Sequence, residues 1–423
     1  MRIIADLHLH SHFSRATSPK MIPEEIEFWA YSKGINIVGT GDCSHPGWVK
    51  ELREKLIFVE KTGLYRLKPE SSKLKSDQWS MQKGPFFLIT GEISSIYKHS
   101  YKVRKIHTLF FVPSFEVLEN INNKLAQIGN IAYDGRPIIG ISALELARVF
   151  WQADPMCEVI PAHIWTPWFS LFGSKSGYDL LTDCYGEDSD KIYCLETGLS
   201  SDLNMNWRIS MLDKYTFISN SDAHSLINLS REATIFDLEN ISYKNIIDAL
   251  HNPKRGFIGT VEFFPEEGKY HNDGHRACKV NVTPAMARSL KNMCPSCGKE
   301  LVLGVLHRVD ALADRAEGSR VNPNHKVYYA IPLIELIAQT TGLSKTSKFI
   351  QEKYILYLQT MPELEILLFT DLIKLKKIIP TELIDAIDKM RQGQVSRVAG
   401  YDGEYGIISV NNNISVKQKT LFQ

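Results

Sequence analysis

The sequence predicts an α/β protein in which parallel β-strands alternate with α-helices. Seven apolar runs of strand length recur before residue 265, and amphipathic stretches such as 23–32 and 246–250 lie between several of them. Buried β-rich runs that alternate with helical patterns are typical of a parallel barrel or a doubly wound sheet. The predicted strands cover residues 3–7, 36–40, 86–90, 107–112, 158–162, 192–196 and 216–219.

The composition is that of a globular protein rather than a disordered one. Hydrophobic residues make up 44% and charged residues 23% of the 423 residues, and 49 Lys/Arg against 48 Asp/Glu leave a net charge of +1. This balance excludes a bulk polycation, so binding to nucleic acid must depend on local charge. No apolar run approaches the ~18 residues of a membrane span, and the start has no signal-peptide pattern. We therefore predict a cytoplasmic protein without a membrane partner.

Composition and pattern divide the chain into three predicted domains. Residues 1–265 carry the strand pattern, residues 266–310 carry a Cys/His pattern, and residues 311–423 are mostly helical in pattern. Residues 50–84, rich in Lys, Glu and Ser, are predicted to be an insertion. The predicted C-terminal helices cover 327–339, 345–359 and 362–377, and the segment after Gly400 has a β-like pattern.

Polar and ionisable residues collect where the predicted strands end. The first such motif is D-L-H-L-H at 6–10, in which His8 and His10 are two residues apart. Because residues i and i+2 of a strand share one face, the two imidazoles can bind one metal ion. An isolated H-x-H pair usually arises by chance, but here matching residues follow the later strands: Asp42, His45, Glu92, His107, His163, Glu196, Asp222 and His224.

Each of these residues also has an ordinary structural interpretation. Asp42 in G-T-G-D-C-S-H could cap the following segment, and an exposed Glu such as Glu92 would be unremarkable alone. His107 lies within the apolar run RKIHTLFFV, where a core histidine is the usual interpretation. Asp222 and His224 in N-S-D-A-H repeat the i, i+2 spacing.

The combination favours a metal centre over these separate interpretations. At least five strand ends each supply a His, Asp or Glu, and strand carboxyl ends carry the chemistry of such folds. A site lined this way can hold two or three divalent ions, which activate water and bind phosphate oxygens in phosphoryl chemistry. Carboxylates mixed with imidazoles suit Zn, Mn or Fe better than Ca.

These motifs together resemble those of the PHP (polymerase and histidinol phosphatase) family of metal-dependent phosphoesterases. The resemblance covers residues 1 to about 260 and rests on DLHLH, GTGDCSH, Gly91–Glu92, His107, P-A-H at 161–163 and S-D-A-H at 221–224. It implies a distorted (βα)7 barrel, in agreement with the seven predicted strands. It also implies metal-ligand roles for seven residues: His8, His10, Glu92, His107, His163, Asp222 and His224.

The sequence departs from the family pattern at two places. Ala16 falls near the position of a further ligand, and G-D-C replaces the usual T-D-H. We expect His45, two residues after Cys43, to take the place of the missing histidine. Asp42 is then predicted to position the nucleophilic water or to support a ligand.

A second Cys/His constellation predicts a structural zinc site. His275 and Cys278 precede Cys294 and Cys297, in the pattern H-x2-C-x15-C-x2-C. Two such pairs suit a closed tetrahedral zinc site, and a unit of about 45 residues has too little core to fold without metal. His271 and His307 remain alternative fourth ligands.

Nearly the whole chain resembles the endonuclease Q family. The resemblance rests on the PHP-like motifs followed by YHNDGHRAC, CPSCGK, GVLHRV and LADR, then a helical segment and GYDGEYG. It implies a metal-dependent DNA repair endonuclease that cuts 5′ to deaminated bases (uracil, hypoxanthine, xanthine) and abasic sites. In that function we assign catalytic roles to Asp42, Glu92, Asp222 and His224.

The charge distribution agrees with DNA as the partner. Residues 1–270 carry −4 and residues 271–423 carry +5, with a Lys cluster at Lys374, Lys376 and Lys377. That cluster suits phosphate contacts, although an ordinary solvated helix face is an equal alternative. An enzyme that inspects a base must flip it from the stack, so aromatic walls are needed. We predict lesion or strand contacts for Trp165, Trp168, Phe169, Ser174 and Lys175, with packing over the barrel as the alternative.

Two other functions remain open on sequence alone. The first is a PHP-type phosphatase of a small phosphate monoester, which the barrel motifs also fit. The second is a non-catalytic DNA-binding module with a decayed metal site. The zinc unit and basic helical region disfavour the first, and the near-complete ligand set disfavours the second. We further expect Zn, Mg or Mn in the barrel, a monomeric prokaryotic protein associated with the nucleoid, and a sliding clamp as a partner.

Overall fold

The computed structural model describes residues 1–74, 84–322 and 325–411. Part of the predicted insertion (75–83) and the end of the chain (412–423) therefore lie outside the described residues. The described strands are, in chain order, β1 (Arg2–Asp6), β2 (Ile37–Gly39), β3 (Leu56–Val59), β4 (Leu64–Leu67), β5 (Phe86–His99), β6 (Lys102–Val112), β7 (Ile138–Ile139), β8 (Glu158–Pro161), β9 (Cys194–Glu196), β10 (Thr216–Ile218), β11 (Ala233–Asp237), β12 (Phe257–Glu262), β13 (Asp273–His275), β14 (Val280–Val282), β15 (Lys326–Tyr329), β16 (Ser396–Val398) and β17 (Ile407–Ser409).

The helices lie between these strands and dominate the C-terminal third. They are α1 (Pro23–Lys33), α2 (Pro46–Lys55), α3 (Phe115–Ile128), α4 (Ala143–Ala153), α5 (Leu181–Tyr185), α6 (Leu203–Asn206), α7 (Tyr243–His251), α8 (Pro284–Ser289), α9 (Val305–Leu312), α10 (Leu333–Thr341), α11 (Lys348–Thr360), α12 (Leu372–Leu375) and α13 (Thr381–Arg391). No helix within the described ranges is long and apolar enough to cross a membrane.

Seven strands form the barrel, and they are the seven that the apolar runs predict. Hydrogen-bonded ladders join β1 to β2, β2 to β5, β5 to β6 and β6 to β8, and a separate parallel pair joins β9 to β10. The amide of Ile164, just after β8, donates to the carbonyl of Glu196 at the end of β9, and a parallel bridge between Leu9 and Ala223 connects the extensions of β1 and β10. These contacts close the ring, which confirms the predicted α/β barrel fold class.

The expectation of parallel strands throughout is wrong for β6, which is antiparallel to both β5 and β8. β5 and β6 form one long hairpin whose turn residues, Ser100 and Tyr101, have φ of 50° and 62°. Positive φ at both central residues matches the twist of a tight hairpin, and it leaves no room for a crossover helix. This reversal distorts the barrel and places His107 in the middle of a strand rather than at its carboxyl end.

Local sequence signals explain where the barrel helices begin and end. Ser114 caps α3, and Ser142 with Glu145 forms a reciprocal capping box at the start of α4. α1 begins at Pro23 and ends at Gly34, whose φ of 88° favours glycine. The buried faces of α3 and α4 pack over the β5–β6 side of the barrel, in the large apolar core.

Beyond the ring, the sheet continues on both edges. The hairpin of β3 and β4, within the predicted insertion, adds to β5. On the other edge β11 pairs antiparallel with β1, β12 with β11, and β15 runs parallel to β12. The predicted helix over 327–339 is therefore wrong at its start, because its first residues pair in β15 and α10 begins only at Leu333.

The C-terminal helices have a core of their own and dock onto α1. Their apolar side chains cluster around Tyr354 and Leu336, and the core also takes in Phe264 and Ile408. A buried ion pair joins Lys33 Nζ of α1 to Glu363 Oε2 at 2.7 Å, with each side chain at most 3% exposed. The predicted helix over 362–377 is interrupted, because a π-helical turn over Glu365–Phe369 and Asp371 separate it from α12.

The Cys/His unit is a small hairpin with little core of its own. β13 and β14 pair antiparallel, and its buried apolar residues are Val280, Ala287, Cys294 and Leu301. The tail folds back on this side of the molecule as the β16–β17 hairpin. The amides of Gly400 and Gly406 donate to the carbonyls of Glu266 and Glu267, where a Cβ on either glycine would clash. The boundaries of the three domains stay a prediction.

Candidate metal centres

Strained backbone marks three of the strand ends that carry predicted site residues. Asp42, His163 and Asp222 have φ of 47°, 29° and 46°, values that non-glycine residues seldom adopt. Such conformations cost free energy and persist where the surrounding structure imposes them, most often at functional sites. All three residues lie in the loops two to four residues after the barrel strands β2, β8 and β10, at the barrel mouth.

The first group of ligand atoms comes from the segment after β1, from β5 and from the loop after β10. His8, His10, Glu92 and Asp222 each offer one atom, and these atoms all lie within 4.8 Å of one another. His10 Nε2 is 3.0 Å from Asp222 Oδ1 and 3.3 Å from Glu92 Oε2, while His8 Nε2 is 3.4 Å from Glu92 Oε2. The two histidines of DLHLH therefore face the same point, as their spacing predicts.

The far side of each histidine ring is held by a buried carboxylate. His8 Nδ1 is 3.0 Å from Glu196 Oε1, and His10 Nδ1 is 2.9 Å from Asp42 Oδ1. An Nδ1–H that donates to a carboxylate fixes the tautomer and leaves Nε2 as a free base, which is how metal-binding histidines are oriented. Asp42 thus lies behind His10, and its supporting role stays a prediction.

A second group lies on the other side of Glu92. His107 Nδ1 is 2.7 Å and His163 Nε2 is 3.1 Å from Glu92 Oε1, and the two imidazole nitrogens are 3.1 Å apart. Oε2 of the same carboxylate faces the first group, so Glu92 is common to both. A carboxylate with one oxygen in each of two ligand groups is suited to bridge two ions.

The unpaired atoms of the first group fit bound cations. His8 Nε2, His10 Nε2 and Asp222 Oδ1 are buried and make no hydrogen bond within the described residues, although they lie close together. Buried polar atoms normally have partners, because leaving one unpaired costs about 1–3 kcal/mol. Imidazole and carboxylate donors that converge in this way are able to hold divalent ions of the Zn or Mn type.

The electrostatics of the site also favour ionised carboxylates. Burial alone would raise the pKa of Glu92, but His107, Arg136 and His8 hold that pKa well below its usual range. Burial opposes ionisation of Asp222 too, yet His8 and His10 lower its pKa well below the ordinary value. Burial lowers the pKa of His107 to about 4 despite the nearby Glu92, whereas the carboxylates around His8 and His10 raise the pKa of both imidazoles well above the usual value against the effect of burial.

Two of the predicted ligands are not brought into either group. His45 Nε2 is 3.0 Å from the carbonyl of Ala132, and its Nδ1 accepts from the amide of Trp48, so both ring nitrogens are used. The histidine is the N-cap residue of α2, so its ring is engaged in the start of that helix. His224 lies closer, with its ring 4.4 Å from that of His10, but its Nδ1 binds the carbonyl of Asp222.

Sequence reasoning missed two residues of the site. Glu196 was recognised only as a strand end, yet it accepts from His8, from the amide of His163 and from Asn220, and so supports both groups. Arg136 Nη1 lies 3.1 Å from Glu92 Oε2. It stands in the turn sequence D-G-R-P, which signals a loop but gives no indication that the loop reaches the barrel mouth.

The four residues predicted as a structural zinc site do come together. One ligand atom from each of His275, Cys278, Cys294 and Cys297 lies within 4.8 Å of the others. Burial opposes ionisation of Cys294, but the amides of Ser296 and Cys297 and the His275 side chain lower its pKa to about 6. A thiolate at neutral pH is the form that binds zinc.

The two alternative fourth ligands lie elsewhere. His271 is 8% exposed, and it is not part of the Cys/His group. His307 Nδ1 is 2.5 Å from Asp273 Oδ2, on the inner side of the β13 hairpin. His275 therefore completes the set of four, while His307 fixes the hairpin to α9.

The residues predicted for lesion contact divide into buried and exposed members. Trp165 is fully buried, donates its indole N–H to Asn206 and packs on Phe172, so it supports the fold rather than forming a surface wall. Trp168 is 40% exposed. Phe169 has its ring 4.6 Å from that of His107, beside the second group. Ser174 is half-buried and Lys175 is exposed on the same loop.

The C-terminal helices match one family model, and the chain matches two curated proteins in sequence. Residues 332–394 match the model of the MJ0043 C-terminal domain family. Uncharacterized protein YqxK of Bacillus subtilis is 28% identical over 96% of this chain and 99% of its own length. Uncharacterized protein MJ0043 of Methanocaldococcus jannaschii is 33% identical over 58% of this chain, but the match spans only 31% of that protein's length.

Two solved structures match the fold along its whole length. The first is the lesion-specific endonuclease PfuEndoQ from Pyrococcus furiosus, with a TM-score of 0.84 and 29% identity over 97% of this chain and 96% of that one. The second is endonuclease Q in complex with a 27-mer duplex substrate that has an abasic lesion at the active site, with a TM-score of 0.83 and 29% identity over the full length of both chains.

Proposed function

The chain resembles endonuclease Q over its full length, as its sequence predicts, and on that premise we propose that it is a metal-dependent DNA endonuclease that acts at base lesions. The observation that carries the proposal is the pair of ligand groups that share Glu92 at the barrel mouth. The bond cut is the phosphodiester on the 5′ side of uracil, hypoxanthine, xanthine or an abasic site. The products are a 3′-hydroxyl and a 5′-phosphate.

The two ligand groups on either side of Glu92 would each hold an ion. His8, His10 and Asp222 would bind one and His107 and His163 the other, and His224 is the remaining proposed ligand, with its ring 4.4 Å from that of His10. Two or three ions of Zn, Mn or Mg supply the activation of a water and the neutralisation of phosphate charge when they are bound. His45 remains a proposed ligand only if its bond to Ala132 breaks.

The protein's own residues prepare the site before any substrate arrives. Glu196 and Asp42 hold the Nδ1 side of His8 and His10, which turns Nε2 of both rings toward the first ligand group. Glu196 also accepts from the amide of His163, which fixes the strained turn that carries this ligand. Donors that are held in place by packing need no rearrangement during reaction, and that is the main electrostatic contribution of such sites.

The loop after β8 supports contact with the damaged nucleotide. Trp168 offers an exposed ring for stacking, Phe169 lies against His107, and Ser174 and Lys175 follow on the same loop. A flipped base is bound by stacking between aromatic side chains and by hydrogen bonds to its edge. The basic C-terminal part, together with the Cys/His unit and its structural zinc, supports binding of the surrounding duplex.

The test is cleavage of duplexes that differ at one position only. The protein is incubated with Mg²⁺, Mn²⁺ or Zn²⁺ and labelled duplexes with uracil, hypoxanthine, xanthine, an abasic site or an undamaged base. We expect cuts 5′ to the lesion, none in undamaged duplex, and loss of cutting in Asp222→Asn. Intact DNA together with hydrolysis of small phosphate monoesters would instead support the phosphatase. Lesion binding without cleavage under every metal would support the binding module.

Partners and assembly stay part of the proposal. A monomer and a sliding clamp partner are expected, and neither is needed for the cleavage test. Light scattering of the purified protein checks the first. Co-elution with a purified clamp from the same source, with and without primed DNA, checks the second.

A further inference from the structure

The loop between α3 and β7 is fastened over the first ligand group by several bonds. The amide of Gly135 donates to the carbonyl of Phe13 at 3.1 Å, and Ser44 Oγ donates to the carbonyl of Gly135. His45 Nε2–H donates to the carbonyl of Ala132, so the histidine predicted as a ligand holds this loop instead. A Cβ on Gly135 would lie 2.2 Å from Asp42 Oδ2, so the loop also touches the carboxylate that orients His10.

Arg136 is the residue that this loop presents to the barrel mouth. Its amide donates to Asp134 Oδ1 at 3.0 Å, which fixes the backbone, and its Nη1 is 3.1 Å from Glu92 Oε2. The side chain is 31% exposed, so it reaches solvent at the site itself. A guanidinium has five N–H donors, and the contact with Glu92 engages one of its nitrogens.

A fixed cation beside the carboxylate common to both groups has an electrostatic cost. Arg136 is not a ligand, and its charge repels divalent ions that bind to Glu92. Four carboxylates lie in or directly behind the two groups, namely Glu92, Asp222, Asp42 and Glu196, and they would balance the charge of two divalent ions, so Arg136 leaves a positive excess. An anion that contacts both the ions and the guanidinium offsets the excess, and a phosphate matches a guanidinium in geometry and charge.

We propose that Arg136 binds a non-bridging oxygen of the scissile phosphate, and this inference rests on the proposed nuclease function. Arg136 acts by charge and hydrogen bonding and transfers no proton, since its guanidinium stays protonated. His45 and Gly135 are positioning residues, because they hold the loop that carries it. The competing interpretation is that Arg136 only pairs with Glu92 and never contacts DNA.

The binding test uses metal-stripped protein, so that no cleavage occurs. Two lesion duplexes are compared, one with an ordinary phosphodiester 5′ to an abasic site and one with an uncharged methylphosphonate there. For the wild type we expect the methylphosphonate duplex to bind more weakly than the phosphodiester duplex. For Arg136→Ala we expect this loss of affinity to be about tenfold smaller, because the variant has already lost a charged hydrogen bond to the phosphate. Equal penalties in both proteins would overturn the proposal.

The matched control is Arg255→Ala, which removes the same charge at the opposite end of the barrel. Arg255 is 61% exposed, and Gly256 beside it bonds to Asp237, which pairs with Arg2 at the start of β1. For Arg255→Ala we expect the methylphosphonate to weaken binding as much as it does for the wild type. The slope of log K against log salt should fall by about 0.9 for Arg136→Ala, as for one lost phosphate contact. An unchanged slope would count against a phosphate contact.

Cleavage and metal content separate failure of this inference from failure of the proposed function. If the metal-loaded wild type does not cut lesion duplexes, the proposed function itself fails. If the wild type cuts, we expect Arg136→Ala to retain its ions by elemental analysis while kcat falls about a hundredfold, and Arg136→Lys to recover part of that loss. Loss of the ions in Arg136→Ala, or cleavage at the wild-type rate, would show that Arg136 has only a structural role.

Discussion

At the scale of single residues, the chemistry of the site depends on carboxylates that lie behind the ligands. Glu196 holds His8 of one ligand group and the backbone of His163 of the other, and Asp42 holds His10. His10 Nε2 stays buried without a hydrogen bond, because these supports prevent the rings from turning toward other partners. The supports should therefore govern metal affinity almost as strongly as the ligands.

A first prediction concerns Glu196→Gln. The amide keeps the size of the side chain but removes the charge that orients the His8 Nδ1–H, so we expect metal affinity to fall about tenfold to a hundredfold. Competition with a chelating dye measures this affinity directly. Glu54→Gln, on the exposed face of α2, is the control and should bind metal like the wild type. Unchanged affinity in Glu196→Gln would show that His8 does not depend on this bond.

A second prediction concerns Glu27 of α1, which is 1% exposed and accepts from Ser72 Oγ. Burial raises its pKa from 4.5 to about 7. Because the folded state binds this proton more tightly than the unfolded state, the stability from this group is full below about pH 4.5 and is lost as pH rises through about 7. The Tm of Glu27→Gln relative to that of the wild type should therefore be higher at pH 8 than at pH 5. An equal Tm difference at both pH values would refute this.

At the scale of elements, several short segments are held in place by contacts with residues from other parts of the chain. The loop after α3 is held by His45 and Phe13, and the tail hairpin is held by Glu266 and Glu267. The Cys/His unit is the extreme case, because four apolar residues form its core. Such a small core offsets little of the conformational entropy of the segment, so we expect a bound metal to provide the remainder.

A third prediction follows for that unit. Cys294→Ser should lose one zinc per chain and unfold residues 266–310 locally, since a structural zinc contributes about 10–16 kcal/mol to folding in small units. Elemental analysis and protease digestion followed by mass spectrometry detect both effects. Ser296→Ala, an exposed residue of the same turn that supplies only its backbone, is the control. A variant that resists proteolysis in the unit while zinc is absent would contradict the prediction.

At the scale of the whole molecule, charge is divided between the barrel and the C-terminal part. The neutral total of +1 conceals −4 in residues 1–270 and +5 in residues 271–423. DNA binding should therefore be sensitive to salt, with lesion selectivity left to the loop after β8.

A fourth prediction concerns Lys374, Lys376 and Lys377, which are exposed in and after α12. If all three contact phosphates, their replacement by alanine should lower the salt slope of binding to undamaged duplex by about 2.7, at roughly 0.9 per contact. Fluorescence anisotropy at several salt concentrations measures the slope. Alanine at Lys191, Lys244 and Lys254 on the barrel removes the same charge and should change the slope little. Equal slopes in the two triple variants would assign the cluster to an ordinary solvated face.

Much of the fold could be predicted because strand periodicity is a local signal. All seven apolar runs form barrel strands, and the Cys/His spacing brings its four residues together. The reversal of β6 could not be predicted from the apolar pattern, since it depends on the positive φ of Ser100 and Tyr101, neither of which is a residue type that commonly adopts that conformation. Likewise, the contacts of His45 and Arg136 depend on how a distant loop crosses the barrel mouth, and no local sequence pattern encodes that path.

The central claim is that a metal centre built around Glu92 cuts DNA beside a lesion. Glu92→Gln tests it most directly, because this carboxylate belongs to both ligand groups while the Cys/His site lies elsewhere. We measure cleavage of a duplex with one abasic site, together with bound metal per chain, for the wild type and the variant. The account predicts that Glu92→Gln keeps one zinc, loses at least two other ions and does not cut. Wild-type cutting 5′ to the lesion by Glu92→Gln would contradict it.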